Sequence, residues 1–256
     1  LFRHFIHQHA GIDLSPAKKV MVGGRLQKRV NHYQLASYEQ YYHIATHPDN
    51  GQELQLLVDI LTTNETYFFR EPKHFSYFEK EILAKWKTGH FKVWSAASSS
   101  GEEAYSLAML LAEKSGTKTW DILGTDLNRD VLTKASRGIY GMDRVELLDP
   151  YLMNKYCLKG VRSQQGLFCI ADKLKQKVSF HRLNLTQSLP GKISMFDVIF
   201  LRNVLIYFNN ETKKKVVEQL ISKLKPGGYF FISHSETLSR VTDKLVMVKP
   251  SIYRKK

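Results

Sequence analysis

Apolar runs alternate with helix-period stripes through most of this chain. Val93-Trp94 leads into a run of small residues, Ser95 to Gly101, after which Leu107, Ala108, Leu110 and Leu111 recur at helical spacing. That pattern predicts a strand, a tight turn and a helix. A second strand is predicted over Trp120 to Asn128, with a helix from Arg129 to about Ser136, and Asp149-Pro150 opens a segment ending near Tyr156. The alternation then breaks at Leu158 to Gly160, a polar loop from Val161 to Gln165, and Gly166 to Ile170, which read as an inserted hairpin. Val178 to Leu185 returns to a strand, and Phe196 to Asn203 is a near-continuous apolar run, as expected of a strand buried on both faces. A helix from about Glu211 to Leu224, a Pro226-Gly227-Gly228 turn, a strand over Tyr229 to Ser233 and a last strand pair, Lys244 to Val248 and Ser251 to Arg254, complete the expectation. This alternation predicts an α/β fold with an open sheet.

The first 62 residues carry a different pattern. A helix ending near Gly11, a second opened by Ser15-Pro16 and carrying Val20, Leu26 and Val30, a third capped by Ser37 with Gln40, and a fourth bearing Leu54, Leu57, Val58 and Leu61 predict a small all-helical unit. Between it and the sheet, residues 63–73 hold Tyr67-Phe68-Phe69 followed by Arg70-Glu71-Pro72. Three adjacent aromatics predict a linker folded onto something rather than a loose tether, and Pro72 disfavours helix at Glu71.

Composition changes this picture in three places. No apolar run approaches a bilayer span, so no membrane insertion is expected. Two cysteines, Cys157 and Cys169, form no framework or metal-ligand pair and fit a cytoplasmic protein. A formal net charge of +14 calls for an anionic partner, with nucleic acid, anionic lipid and acidic protein all candidates that charge alone does not separate. Between Leu14 and Tyr38 the bases Lys18, Lys19, Arg25, Lys28 and Arg29 occur with no acid, and Lys18, Arg25 and Arg29 share a helical face with Lys28 beside them. His43 and His47 stand one helical turn apart, but the glutamate of a zinc helix is missing and no third ligand is evident, so no metal is expected.

The small-residue loop narrows the chemistry. Small side chains let a cofactor approach bare backbone at a strand-to-helix turn, where the helix N-terminus favours negative charge. Here Glu102 and Glu103 supply that charge, no G-x-G-x-x-G occurs, and no Walker lysine follows. A cationic ligand is therefore favoured over a dinucleotide, and S-adenosylmethionine (AdoMet), with its sulfonium and ammonium, is such a ligand. Asp126, at the end of the next strand, stands where ribose hydroxyls are held in nucleotide-binding sheets.

The stretches Thr63 to Glu71, Trp94 to Glu103, Gly124-Thr125-Asp126, Phe200 to Phe208 and His234-Ser235-Glu236 resemble, in order, the motifs of the CheR-type chemotaxis receptor glutamate methyltransferases. The resemblance covers nearly the whole chain. It implies a Rossmann-like AdoMet-dependent methyltransferase sheet (residues 63–256), a small N-terminal all-helical domain (1–62) and an inserted antiparallel β-subdomain at about 157–176. It also implies transfer of methyl from AdoMet to receptor glutamates, with S-adenosylhomocysteine (AdoHcy) as product. Carried over by position, the family's cofactor contacts fall on Asn64, Thr66, Arg70, Glu103, Asp126, Asn184, Leu185, Arg202 and Asn203, and Arg70 and Tyr207 fall nearest the transferred methyl. Methyl-accepting receptors are the implied partners, their acidic helices read by Lys18, Arg25, Lys28 and Arg29, and a receptor C-terminal peptide is a possible ligand of the β-subdomain. The Gly160 to Gly166 loop departs from the family in lacking a further glycine, with Arg162 in its middle. A nucleic-acid methyltransferase would carry a reactive-cysteine or Asn-Pro-Pro-Tyr motif, and neither is present, so no nucleic-acid partner is expected.

Overall fold

The structure, a computed structural model, describes all 256 residues. They divide into two compact units, residues 1–63 with 207–213, and residues 64–206 with 214–256.

The smaller unit is built on four helices, α1 (Phe2–Ala10), α2 (Lys19–His32), α3 (Tyr38–Ala45) and α4 (Gly51–Leu61). Gly11 ends α1 in the left-handed region at φ 69°, and a single 3₁₀ turn over Pro16–Lys18 precedes α2. Ser37 Oγ accepts from the Gln40 amide at 3.2 Å, while Gln40 Oε1 accepts from the Ala36 amide at 2.8 Å, so the capping box closes one residue earlier than its usual form. Leu26, Val30, Tyr41, Leu57 and Leu61 are buried, whereas Val20, expected with the apolar residues of α2, is 86% exposed. The unit's second segment carries Tyr207 and Phe208. Ile12 bridges Phe208 in antiparallel fashion, and the Asp13 amide donates to the Tyr207 carbonyl at 2.8 Å.

The core of this unit also holds charge. Glu53 is 5% exposed and its carboxylate accepts from Arg29 Nε at 2.8 Å, Arg29 Nη2 at 2.7 Å, Tyr41 OH at 2.8 Å and Tyr33 OH at 3.1 Å. Four donors make the buried anion tolerable. Burial alone would raise its pKa, but the hydrogen bonds from Arg29 and Tyr41 outweigh it and hold Glu53 below the usual glutamate range. Arg25 reaches from α2 to the far end of α4, donating to the Thr62 carbonyl at 2.9 Å and to Thr63 Oγ1 at 3.0 Å. A cation there satisfies carbonyls that a helix C-terminus leaves bare.

The larger unit runs α5 (Pro72–Tyr77), β1 (Phe91–Ser95), α6 (Glu102–Ser115), β2 (Trp120–Asp126), α7 (Arg129–Arg137), β3 (Ile139–Gly141), α8 (Pro150–Tyr156), β4 (Cys157–Lys159), β5 (Leu167–Ile170), α9 (Asp172–Lys175), β6 (Val178–Arg182), β7 (Phe196–Phe200), α10 (Asn210–Ser222, whose first turn belongs to the smaller unit), β8 (Leu224–Phe231), β9 (Leu245–Lys249) and β10 (Ile252–Lys255). Seven strands form one sheet in the order β6-β2-β1-β7-β8-β10-β9; the first five are parallel, and β10 pairs antiparallel with both β8 and β9. The chain passes from β1 outward through β2 to β6, then returns to pair β7 on the other side of β1. That reversal is where open sheets bind ligands, outside the carboxyl ends of the strands.

Two expectations need correction. Pro226-Gly227-Gly228, read as a turn, lies inside β8, where Gly227 takes φ 73° and the pairing with β7 shifts register; the glycine lets a bulge replace a break. The inserted hairpin is a three-stranded antiparallel sheet, β3-β5-β4, because Ile139–Gly141 pairs with Leu167–Cys169. A three-residue strand directly after a helix carries too little periodicity to be read from sequence.

Candidate AdoMet site at the strand ends

The junction segment folds onto the sheet as its aromatics require. Phe68 is fully buried and Phe69 is 8% exposed, with the Phe69 amide donating to Ser106 Oγ at 3.0 Å. Phe69 and Glu71 both adopt positive φ, 56° and 60°, so left-handed residues flank Arg70 on either side. Such backbone is costly for residues other than glycine and concentrates at functional sites. Arg70 Nη1 donates to the Glu65 carbonyl at 2.7 Å and its guanidinium lies 5.7 Å from the Tyr67 ring centroid. Asn64 contributes its carbonyl to Ser99 Oγ at 3.1 Å, and the Thr66 carbonyl accepts from Arg144 Nη1 at 2.7 Å.

The two acids opening α6 diverge in role. Glu102, 1% exposed, is held by Arg144 at 3.2 Å and Ser100 Oγ at 2.7 Å, and its burial pushes the carboxyl pKa up. Glu103 accepts from Ser95 Oγ at 2.7 Å and from Arg202 Nη1 at 2.8 Å. Arg202, its side chain 2% exposed, also meets Glu71 Oε2 at 3.2 Å and donates to the Arg70 carbonyl. One guanidinium between two carboxylates leaves a net negative charge at the ends of β1 and β7.

Asp126 closes β2. Its Oδ2 accepts from the Ser99 amide at 2.9 Å and its Oδ1 from the Asn128 amide at 3.0 Å, fixing the carboxylate between loop and helix start. Burial raises its pKa, and the amides of Asn128, Ser99 and Leu127 counter that rise. Asn128, two residues on, caps α7 by accepting from the Val131 amide through Oδ1 at 3.1 Å, so Asp126 is not the cap of that helix. Asn184 Oδ1 accepts from the Thr186 amide and hydroxyl at 3.0 and 2.8 Å, and the Leu185 carbonyl accepts from Gln219 at 3.4 Å. Asn203, at φ 57°, donates through Nδ2 to Ser233 Oγ at 2.8 Å.

These residues fit AdoMet. Gly101 takes φ 95° and a Cβ there would come within 2.9 Å of Ala135 Cβ; one on Gly124 would meet Phe180 at 2.5 Å and Ser98 Oγ at 3.0 Å, so both positions demand bare backbone. The Ser98 hydroxyl and Arg202 Nε are buried with no hydrogen-bond partner, polar capacity of the kind kept at functional sites. Net negative charge suits a sulfonium and an ammonium, and Asp126 retains lone pairs for ribose hydroxyls.

Sequence reasoning passed over four residues of this network. Arg144 has no local signal, since its partners lie far along the chain; Ser99, Glu71 and Glu236 stood inside recognised motifs without an assigned role. Glu71, His74 and His234 also bring three ligand atoms within 4.8 Å. Arg202 Nη2 already lies 3.2 Å from the same Glu71 oxygen, and a fixed cation opposes a metal dication there. Burial and then Arg202 push the His74 pKa down to about 3, so its ring is neutral and acts as a hydrogen-bonded spacer.

Asp126→Ala is expected to weaken AdoHcy binding by about 1.5–3 kcal/mol, the value of a charge-assisted hydrogen bond, while the fold persists. Calorimetry returning wild-type affinity would exclude Asp126 from cofactor contact.

The basic face of α2 is thinner than its sequence implies. Arg25 and Arg29 are committed to α4 and Glu53, and Lys18 Nζ lies 5.2 Å from the Tyr207 ring centroid, all within the smaller unit. Lys19 and Lys28 remain exposed. Tyr207 itself belongs to the smaller unit.

Comparison with known proteins places the chain. The family model for the CheR methyltransferase all-alpha domain matches residues 1–62, and that for the CheR methyltransferase SAM binding domain matches residues 64–254. The chemotaxis protein methyltransferase of Escherichia coli (strain K12) is 36% identical over 253 residues, covering 97% of this chain and 87% of that protein. The chemotaxis protein methyltransferase of Borreliella burgdorferi is 34% identical over 261 residues, covering 98% and 91%. With both family domains matched in order and the strand-end site suited to a cationic nucleoside, the chain belongs to the CheR family of AdoMet-dependent methyltransferases.

Proposed function

We propose that this protein transfers the methyl group of AdoMet to glutamate side chains of bacterial chemoreceptors, forming methyl esters in chemotactic adaptation or a related signalling array. The observation that carries the reading is the near-full-length similarity to chemotaxis protein methyltransferases, which spans both units. No helix is long and apolar enough to cross a membrane. The proposed place of action is the cytoplasm.

AdoMet supplies an activated methyl group. The chain's residues need supply no general base, because a glutamate with a reference pKa of about 4.3 is already ionised at neutral pH. Their tasks are alignment and exclusion of water. Arg70 is proposed to orient the acceptor carboxylate, and the Tyr207 hydroxyl to donate to it. Asn64, Thr66, Glu103, Asp126, Asn184, Leu185, Arg202 and Asn203 are proposed to hold the cofactor; for Arg202, whose Nη atoms are taken by Glu103, Glu71 and the Arg70 carbonyl, the free Nε and its ordering of neighbours are what remain. Incubation with methyl-labelled AdoMet and a receptor cytoplasmic fragment is expected to yield base-labile label on the receptor. Label transferred to RNA and not to receptor would overturn the reading.

The proposed receptor-docking face is carried by Lys18, Lys19 and Lys28, with Arg25 and Arg29 holding the helix that presents them. Lys19→Glu with Lys28→Glu is expected to raise the KM for receptor about tenfold and flatten its salt dependence, leaving the KM for AdoMet unchanged. Unaltered receptor kinetics at low salt would assign these lysines to solvent alone. In the small sheet, Arg162 adopts φ 54°, backbone that usually takes glycine, so the loop keeps a glycine-like path despite its sequence, and exposed Leu158 and Val161 flank it. A receptor C-terminal tethering peptide is proposed to bind there.

A further inference from the structure

Glu236 stands just beyond β8, and its carboxylate is aimed at backbone rather than at any charged side chain. Oε2 accepts from the Ser233 amide at 2.8 Å and the Asn203 amide at 3.3 Å, while Oε1 accepts from the Leu205 amide at 2.8 Å and the Ile206 amide at 3.4 Å. Three of these four donors belong to the turn leaving β7, the turn that holds Asn203 in left-handed backbone without a glycine to ease it. The same turn is tied a second time, because Asn203 Nδ2 donates to Ser233 Oγ at 2.8 Å and that hydroxyl donates to Glu71 Oε1 at 3.0 Å.

We propose that Glu236 is a positioning residue for the cofactor site, its carboxylate holding the Asn203–Ile206 turn in the conformation that presents Asn203 to AdoMet. The inference rests on the reading that Asn203 touches the cofactor. An anion is required because several N–H groups converge on one side chain that must accept from all of them. A glutamine of the same shape accepts through one oxygen and turns an NH₂ group toward N–H donors, which leaves part of the turn unpaired. Aspartate keeps the charge but falls one methylene short.

The test is a set of double-mutant cycles read by AdoHcy calorimetry on the full chain. Glu236→Gln is expected to weaken AdoHcy about tenfold, and Glu236→Asp by less. If Glu236 acts through the turn, Asn203→Ala added to Glu236→Gln should cost little more than either alone, whereas Asp126→Ala, on a different strand, should multiply with it. A general loosening of the fold would treat Asn203 and Asp126 alike, so equal coupling to both would overturn the proposal, as would wild-type affinity in Glu236→Gln. Should the glutamine variant not fold, the aspartate variant carries the same cycles with the same deciding outcomes. Wild-type affinity in Asn203→Ala alone would instead remove Asn203 from the cofactor, which is a separate failure from that of Glu236.

Discussion

Replacing Arg202 with methionine is expected to destabilise the larger unit by about 3–5 kcal/mol, the usual cost of breaking a buried ion pair from one side. The methionine fills much of the volume but strands Glu71 and Glu103, which the guanidinium joins at 3.2 and 2.8 Å. It also frees the Arg70 carbonyl, so the segment between two left-handed residues loses its tie to β7. AdoHcy affinity should therefore fall at least tenfold along with stability. Arg202→Lys should rescue little, since one ammonium cannot span two carboxylates and a carbonyl as a planar fork does. Denaturant unfolding and calorimetry decide the matter. A methionine variant with the wild-type midpoint and affinity would mean that the two carboxylates need no counter-charge.

In the smaller unit, Glu53→Gln is expected to cost about 3–5 kcal/mol, because Arg29 and two tyrosine hydroxyls then face a group with a single acceptor oxygen. The pH dependence has a definite sign. Glu53 has its folded pKa depressed by Arg29 and Tyr41 against the opposing effect of burial. Its contribution is therefore fully present above the unfolded value of about 4.3 and is lost as pH falls through the lower folded value. Wild-type stability should drop across that acid window, and the glutamine variant should lack that component. Parallel pH profiles for the two proteins would show that the carboxylate contributes nothing through its charge.

The two variants probe what pattern reading could not reach. Four helices in the first 62 residues were legible because caps and stripes are local: Ser37 with Gln40, Pro16, Gly11, and the leucines of α4 act over one or two turns. The parallel strands were legible because burial on both faces leaves continuous apolar runs, as in Phe196–Phe200. Asp126 could be placed at the carboxyl end of β2 because strand length and loop position follow from the same runs. The Pro226-Gly227-Gly228 stretch misled because a bulge and a turn use the same residues, and only pairing with β7 distinguishes them.

By itself, then, the sequence determined the class of fold, the order of its longer elements and the loop chemistry that favours a cationic nucleoside, since each is written in residues close together along the chain. Tertiary structure alone decided what the charged side chains do. Arg25 and Arg29 look like a docking face on a helical wheel, yet they are held by α4 and Glu53, well over twenty positions away. Glu102 and Glu103 are adjacent, but Arg144 takes one and Arg202 the other. Glu236 and the turn after β7 become partners only because β7 and β8 are neighbours in the sheet. A charge on a long flexible side chain finds its partner through space, and which partner comes within hydrogen-bonding reach is fixed by strand order and packing, to which spacing along the chain is blind.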